Sequence, residues 1–146
     1  MDYLKCVIKE SLRLHPPLVL SLPRVSTAGI DIEGYHIPAK TRVLVNLWGI
    51  CRDPKAWDRP DEFIPERFKN NLVDYKGVHF EFIPFGAGRR VCPGITFSIT
   101  SVESIIANLI YWFDWELTGD IDTTESSGLS AHLKHPLVLV PSSHFP

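Results

Sequence analysis

The sequence is short of several things that would have decided its class at once. It has no CxxC pair. Its three cysteines, Cys6, Cys51 and Cys92, are odd in number and widely spaced, which argues against a disulfide framework or a zinc site. Free thiols suit a reducing compartment. It has little net charge, −2 over 146 residues, and so offers no footprint for nucleic acid or an acidic surface. Its longest apolar run, IIANLIYWF, is too short to cross a bilayer. MDYLKCVIKE is charged from its second residue, which argues against a signal peptide. On these grounds the chain reads as soluble or peripheral. No internal repeat or low-complexity tract is evident.

What is present is an ordinary globular composition. With 45% hydrophobic and 22% charged residues there is enough apolar material for a core, which argues against disorder, and the length is one domain's worth. The 12 prolines cluster in the first two thirds, which predicts short elements joined by fixed turns there.

DYLKCVIKESLRLHPP predicts a helix stopped by Pro16 and Pro17, with Asp2 as N-cap and Leu4, Val7, Ile8 and Leu12 as its apolar face. LVLSLPRVS, broken by Pro23, predicts an extended segment. In GIDIEGYHIPAKTRVLVNLW the alternation of Ile30 and Ile32, then Val43, Val45 and Leu47, predicts two or three short strands, with a turn at Glu33-Gly34. Pro54, Pro60 and Pro65 make the next stretch a loop holding at most one short helix, pinned by Trp57, Phe63 and Phe68. Phe80 to Arg90 predicts a second loop. From Pro93 a long helix is expected, with Ile95, Ile99, Val102, Ile106, Leu109 and Phe113 on one face. Tyr111, Trp112, Phe113 and Trp115 form its packed end. The tail begins polar and ends in a short strand, LVLV.

FIPFGAGRRVCPGITF, residues 82 to 97, carries the chemistry. Cys92 stands just before Pro93, and proline is at home in a first helical turn. Unpaired N–H groups at the helix start, together with Arg89 and Arg90, favour an anion there, hence a thiolate. A thiolate serves as nucleophile, redox sensor or metal ligand. A nucleophile needs a base, and nothing marks His79, the nearest histidine, as one. Gly86, Gly88 and Gly94 strip side chains from both sides of Cys92. That lets the backbone turn freely and approach something flat and large. The arrangement suits a cofactor that has a metal and anionic groups. The competing reading is a glycine-rich turn around a buried, inert cysteine.

This stretch resembles the heme-binding loop of the cytochrome P-450 family, F-x-x-G-x-R-x-C-x-G, with Phe85, Gly88, Arg90, Cys92 and Gly94 at its fixed positions. Glu10 and Arg13 match the family's E-x-x-R helix, and Pro65, Glu66, Arg67 and Phe68 its P-E-R-F-like element. LRLHPP, GYHIPAKT and VNLWGICRDPKAW are similar to plant microsomal members, so the resemblance covers nearly the whole chain. It departs from the usual plant pattern at Val25, Cys51 and Ser98, none of which is a fixed position of the loop.

The resemblance implies a mainly α fold with a small β-sheet (α+β), of which residues 1–146 are the C-terminal heme-binding portion of one domain. It implies heme b as cofactor, with Cys92 thiolate as the iron ligand. Arg90 and Arg24 would hold the propionates, Phe85 would pack near the sulfur, and Gly86, Gly88 and Gly94 would admit the macrocycle. Glu10, Arg13 and Arg67 would form a buried structural cluster that fixes geometry; from spacing alone Glu10 and Arg13 are a surface pair one helical turn apart, contributing only about 0.2–0.5 kcal/mol. No catalytic residue is expected within this portion. Leu18, Val19, Leu20 and Leu22, with the turn Ser127 to Leu129 that includes Gly128 and Leu129, would border a small hydrophobic substrate. In the complete protein the implied activity is insertion of one atom of O2 into that substrate. An NADPH-dependent reductase would supply electrons at the cytosolic face of the endoplasmic reticulum membrane; Arg89 and Lys76 read either as part of its docking surface or as ordinary solvated charges. The anchor and distal helix would precede residue 1. The rival expectations are a truncated, inactive product with loose or no heme binding, and a thiol enzyme or redox sensor. His132 and His135 are not expected to bind metal, because they lie just before Pro136 and a strand rather than on a helix.

Overall fold

In the computed structural model the prolines end the first helix where the sequence places its stop. The structure describes residues 1–126, 128 and 130–145. Helix α1 spans Asp2–Leu14, and His15 closes it by donating its N–H to the Ser11 carbonyl at 2.7 Å. Asp2 is not the N-cap. It is the first helical residue, Met1 holds the cap position, and no side chain caps that end. The buried residues of α1 are Cys6, Ile8, Glu10, Arg13 and Leu14. Of the four predicted apolar-face residues only Ile8 is fully buried, while Leu4, Val7 and Leu12 are partly covered. Cys6 packs into the aromatic core, Arg13 donates to the loop carbonyls of Cys51, Pro60 and Glu62, and the most enclosed positions of α1, Glu10 and Arg13, are charged.

Among the described residues, four two-stranded antiparallel ribbons supply the β structure. β1 (Arg24–Val25) pairs with β4 (Arg42–Val43), and β2 (Ile30–Ile32) with β3 (Tyr35–Ile37). The turn between β2 and β3 has positive φ at both central residues, Glu33 (48°) and Gly34 (84°). That is the primed turn matching the twist of a hairpin. The alternation expected through Leu47 stops earlier. Leu47–Ile50 is a short helix, α2, started by Asn46, whose side-chain oxygen accepts from the Gly49 N–H at 2.9 Å.

The loop that follows holds one 3-10 turn, Pro65–Phe68. Trp57 and Phe68 pin it, packing with Phe82, Cys6 and Cys51 into one core cluster. Ring centroids stand 5.7 Å apart for Trp57 and Phe68, 5.2 Å for Phe68 and Phe82, and 6.1 Å for Trp57 and Phe82. Phe63 does not join them; it is half exposed.

Helix α3 spans Ile95–Trp112. Its predicted face is continuous in sequence, but Ile99 is the helix's one buried residue among those described, and Phe113 has left the helix. Phe113 opens β5 (Phe113–Leu117), which pairs with β8 (Leu139–Ser143) in the register Phe113↔Ser143 to Leu117↔Leu139. The final strand therefore starts two residues later than LVLV and runs through Pro141. β6 (Glu125–Ser126) and β7 (His132–Leu133) form the last ribbon. The aromatic end of α3 is closed by Phe145, with ring centroids 5.7 Å from Tyr111 and 5.5 Å from Trp112. The short-run argument against a membrane span needs correcting as well. α3 extends beyond IIANLIYWF, and as a whole it is long and apolar enough to cross a bilayer by length and composition. The same is true of core helices in large domains.

Candidate functional site

The loop around Cys92 hangs from a buried stem. Phe82, Ile83 and Pro84 are enclosed, and the Gly86 N–H returns to the Ile83 carbonyl at 2.9 Å. Gly86 (φ 76°) and Gly88 (φ 70°) both take the left-handed conformation, and nothing lies within 4 Å of where a Cβ would stand on either. Two left-handed turns in three residues would strain ordinary L-residues. A short 3-10 turn, Gly88–Arg90, follows. The Cys92 N–H then donates to the Phe85 carbonyl at 3.1 Å and closes the loop on itself. Cys92 thus stands two positions before Gly94, the N-cap of α3, and the helix starts at Ile95 rather than at Pro93.

This geometry leaves the Cys92 side chain exposed, whereas Cys6 and Cys51 are buried. The expectation of a buried, inert thiol fits Cys51 instead. Burial pushes the Cys51 thiol up to about 11. Phe85 is half-buried and meets Tyr75 edge-on at 6.0 Å. Arg90 is exposed beside Cys92, and Arg24 Nη2 donates to the Arg90 carbonyl at 3.4 Å. Two arginines 66 residues apart therefore meet at one loop. Gly94 lies close under the thiol, with its Cβ position 3.8 Å from Cys92 Sγ.

One residue of this neighbourhood went unread. Gly77 has φ 83°, and a Cβ there would stand 3.1 Å from both Ala87 Cα and the Gly86 oxygen. The segment around it presses against the cysteine loop, backbone on backbone. Its only sequence signal is a Lys-Gly pair, which any turn would show.

Glu10, Arg13 and Arg67 converge. Arg13 donates Nε to Glu10 Oε2 and Nη2 to Glu10 Oε1, both at 2.8 Å. Arg67 Nε reaches Glu10 Oε1 at 3.0 Å, and the Ile64 N–H reaches the same oxygen at 2.8 Å. The arginines' remaining N–H groups go to loop carbonyls: Arg13 to Cys51, Pro60 and Glu62, Arg67 to Asp58 and Arg59. Burial pushes the Glu10 carboxyl up, but the bonds from Arg13, the Ile64 amide and Arg67 outweigh it and hold the group below its ordinary value. The cluster ties α1 to the 3-10 turn and to the stretch before it.

A third feature is a cleft of about 570 Å³ bordered by Val19, Leu20, Pro23, Leu44, Ser126 and Gly128. It brings together the two segments read as substrate-facing. Leu18 is partly buried and Leu22 exposed, and neither borders this cleft. Ser127 and Leu129 lie outside the described residues. Among the described residues no group of His, Cys, Asp and Glu could hold a metal ion. His132 lies in β7, and His135 stands 3.8 Å from Asp122.

The departures from the plant pattern have plain local roles. Ser98 donates its hydroxyl to the Gly94 carbonyl, Cys51 fills the core, and Val25 is exposed on β1. Lys76 is exposed and stands 3.7 Å from Asp74.

Comparison with known proteins agrees with this arrangement. A family profile described as Cytochrome P-450 matches residues 1–140. The chain is 58% identical to Cytochrome P-450 71A1 of Persea americana, covering 99% of this chain and 30% of that protein. It is 52% identical to phenylacetaldehyde oxime monooxygenase CYP71AN24 of Prunus mume, covering 100% of this chain and 29% of that one. Among solved structures it resembles retinoic acid-bound cyanobacterial CYP120A1, with TM-score 0.85 and 29% identity over 98% of this chain and 33% of that one. It also resembles a zebra fish cytochrome P-450 structure with progesterone, with TM-score 0.83 and 30% identity over 97% of this chain and 32% of that one. The chain spans about 30% of the length of the curated relatives it matches. With the family profile running over nearly all its residues and the same fold in its structural neighbours, the chain belongs to the cytochrome P-450 family.

Proposed function

We propose that this chain is the C-terminal heme-binding portion of a heme-thiolate monooxygenase. The observation that carries the reading is the exposed Cys92, held at the end of a loop closed by its own amide on Phe85, with left-handed glycines before it and two arginines beside it. A soft sulfur donor, a bare backbone and nearby cations fit an iron porphyrin with carboxylate arms. Cys92 would hold the iron as thiolate. Arg90 and Arg24 would pair with the propionates. Gly86, Gly88 and Gly94 would leave room for the macrocycle, and Phe85 would pack near the sulfur.

When bound, the group supplies activation of molecular oxygen, with one atom entering an organic substrate. The residues of this chain bind, orient and insulate. The Glu10, Arg13, Arg67 cluster fixes the stretch before the loop against α1, so that Cys92 and Arg90 are presented together. Val19, Leu20 and Gly128 offer a largely apolar wall to a hydrophobic substrate, with Leu18, Leu22 and Leu129 as its neighbours in sequence. An NADPH-dependent reductase is the electron donor of the longer protein. Its place is the cytosolic face of the endoplasmic reticulum membrane.

A second reading has its own support. The predicted face of α3 is largely uncovered, with Val102 40% and Leu109 41% exposed. By itself such a chain would hold heme loosely and be inactive. The test is a reduced carbon monoxide difference spectrum of the chain reconstituted with heme, beside Cys92→Ser. A far red-shifted Soret band in the parent and its loss in the variant are expected of thiolate ligation. An unchanged spectrum in Cys92→Ser would overturn the assignment. No heme uptake by the parent would favour the second reading.

A further inference from the structure

The cleft bordered by Val19, Leu20 and Gly128 has two walls that belong to distant parts of the chain. One is the segment that leaves α1; the other is the β6–β7 ribbon. Among the described residues, two bonds join them. The Ala131 N–H donates to the Pro17 carbonyl at 3.3 Å. The His15 ring, at Nδ1, meets Glu125 Oε1 at hydrogen-bond distance across 110 residues. Glu125 itself borders the cleft.

We propose that His15 and Glu125 form a pH-sensitive clamp between these walls, and that His15 is thereby a positioning residue for the hydrophobic ligand the cleft admits. The ligand part rests on reading the cleft as the substrate side; the clamp itself does not. His15 is suited to the task because it closes α1. Its backbone N–H is tied to Ser11, and Pro16 and Pro17 stiffen the chain after it. Glu125 is just as firmly placed on β6, opposite Leu133 of β7, and the Lys134 N–H donates to the Thr124 carbonyl at 2.8 Å. Both side chains are only half exposed, 55% for His15 and 38% for Glu125, so the pair is neither buried nor freely solvated.

The charges facing the pair can be named. Arg52, in the turn after α2, acts on the same carboxylate. It stacks on Trp48 at 4.3 Å, stands 3.6 Å from Asp61, and keeps a buried Nη1 without a partner. Arg13, two residues before His15, is committed to Glu10. On β7, His132 is turned to the Ser130 carbonyl at 3.2 Å. Glu125 thus has the His15 ring within hydrogen-bond reach, while Arg52 adds positive charge only at longer range. Imidazolium against carboxylate draws the ribbon in, and neutral imidazole holds it by a single hydrogen bond.

The experiment is amide hydrogen exchange on the full chain at Ala131 and Lys134, from about pH 8 to about pH 6, corrected for intrinsic rates. Protection at both amides should rise roughly threefold on acidification, the size of a half-exposed ion pair. His15→Leu and Glu125→Gln should each abolish that rise, and the double variant should add nothing. His15→Gln should restore protection at neutral pH without its pH dependence. Glu116 and Val140, paired in β5–β8, serve as the reference and should not respond. Flat protection in the parent, no change in His15→Leu, or equal loosening of the reference pair would overturn the clamp. Heme is absent from every arm, so failure of the clamp and failure of the heme reading are separable.

Discussion

Glu10 and Arg13 share two hydrogen bonds of 2.8 Å at a place where neither side chain reaches solvent. One turn of helix sets them side by side, and Arg67 completes the ring from the 3-10 turn at 3.0 Å. Such a group is costly to desolvate and costlier to break. Glu10→Ala or Arg13→Ala leaves the partner buried without its counter-charge, and either should lower stability by about 3–5 kcal/mol. Chemical denaturation followed by tryptophan fluorescence reads this through Trp57, which lies 5.4 Å from the Arg13 guanidinium. A loss under about 1 kcal/mol would mean the ring is not closed in solution.

The same carboxyl gives a pH dependence. Its value in the folded chain lies below the ordinary one because the arginines and the Ile64 amide outweigh burial. A depressed acid adds stability above its unfolded value, and that stability is lost as pH falls through the folded value. Stability should therefore be flat above the ordinary value of 4.5 and fall on further acidification. Glu10→Gln should start lower and fall less over that range. Parallel curves for the two proteins would remove Glu10 from the acid limb.

How far the site could be read in advance depended on how local each contact is. The cysteine loop was legible because its fixed residues lie within ten positions and act through their own backbone. The turn at Glu33-Gly34 and the stop at Pro16 were legible for the same reason. β5 was not, because its partner among the described residues is β8, more than twenty residues on, and the helical spacing of α3 carried the pattern over Phe113 into it. Phe63 shows the limit of aromatic counting: beside Trp57 and Phe68 in sequence, it points away from the core they build. The meeting of Arg24 with Arg90 was suggested by resemblance alone, and the contact of His15 with Glu125 by nothing in the pattern.

The thiols should separate by reactivity. Cys92 is exposed, while Cys6 and Cys51 are buried and the Cys51 thiol is pushed up to about 11 by its burial. Brief treatment with iodoacetamide near pH 8 should label Cys92 first, and the others only in denaturant. Peptide mass spectrometry counts the labels. Bound heme should block Cys92 and leave the other two as they were. Equal labelling of Cys51 in native buffer would contradict the core described above.

Arg24 offers a test of the anionic face of the site. Its guanidinium donates to the Arg90 carbonyl at 3.4 Å, a long bond that leaves other N–H groups free for a carboxylate. Arg24→Ala should speed loss of heme to a scavenging globin by about tenfold, the worth of one charge-assisted hydrogen bond. The position of the Soret band should not move, because the sulfur ligand is untouched. A shifted band with normal retention would place Arg24 at the thiolate rather than at a propionate.

Gly77 and Gly34 make a matched pair, since both are left-handed, at 83° and 84°. At Gly34 a Cβ meets nothing within 4 Å, so Gly34→Ala carries only the conformational cost, about 1–2 kcal/mol. At Gly77 the same Cβ would stand 3.1 Å from the Gly86 oxygen and from Ala87 Cα, both backbone atoms that cannot swing aside. Gly77→Ala should therefore cost more than Gly34→Ala, by about 1–3 kcal/mol, as an overpacked contact does. The excess falls on the loop that carries Cys92. Gly77→Ala should also weaken heme retention, while Gly34→Ala leaves it unchanged. Thermal unfolding and heme transfer measured on the two variants decide the matter. Equal losses in both would mean that the close approach of the two backbones does not hold the cysteine loop in place.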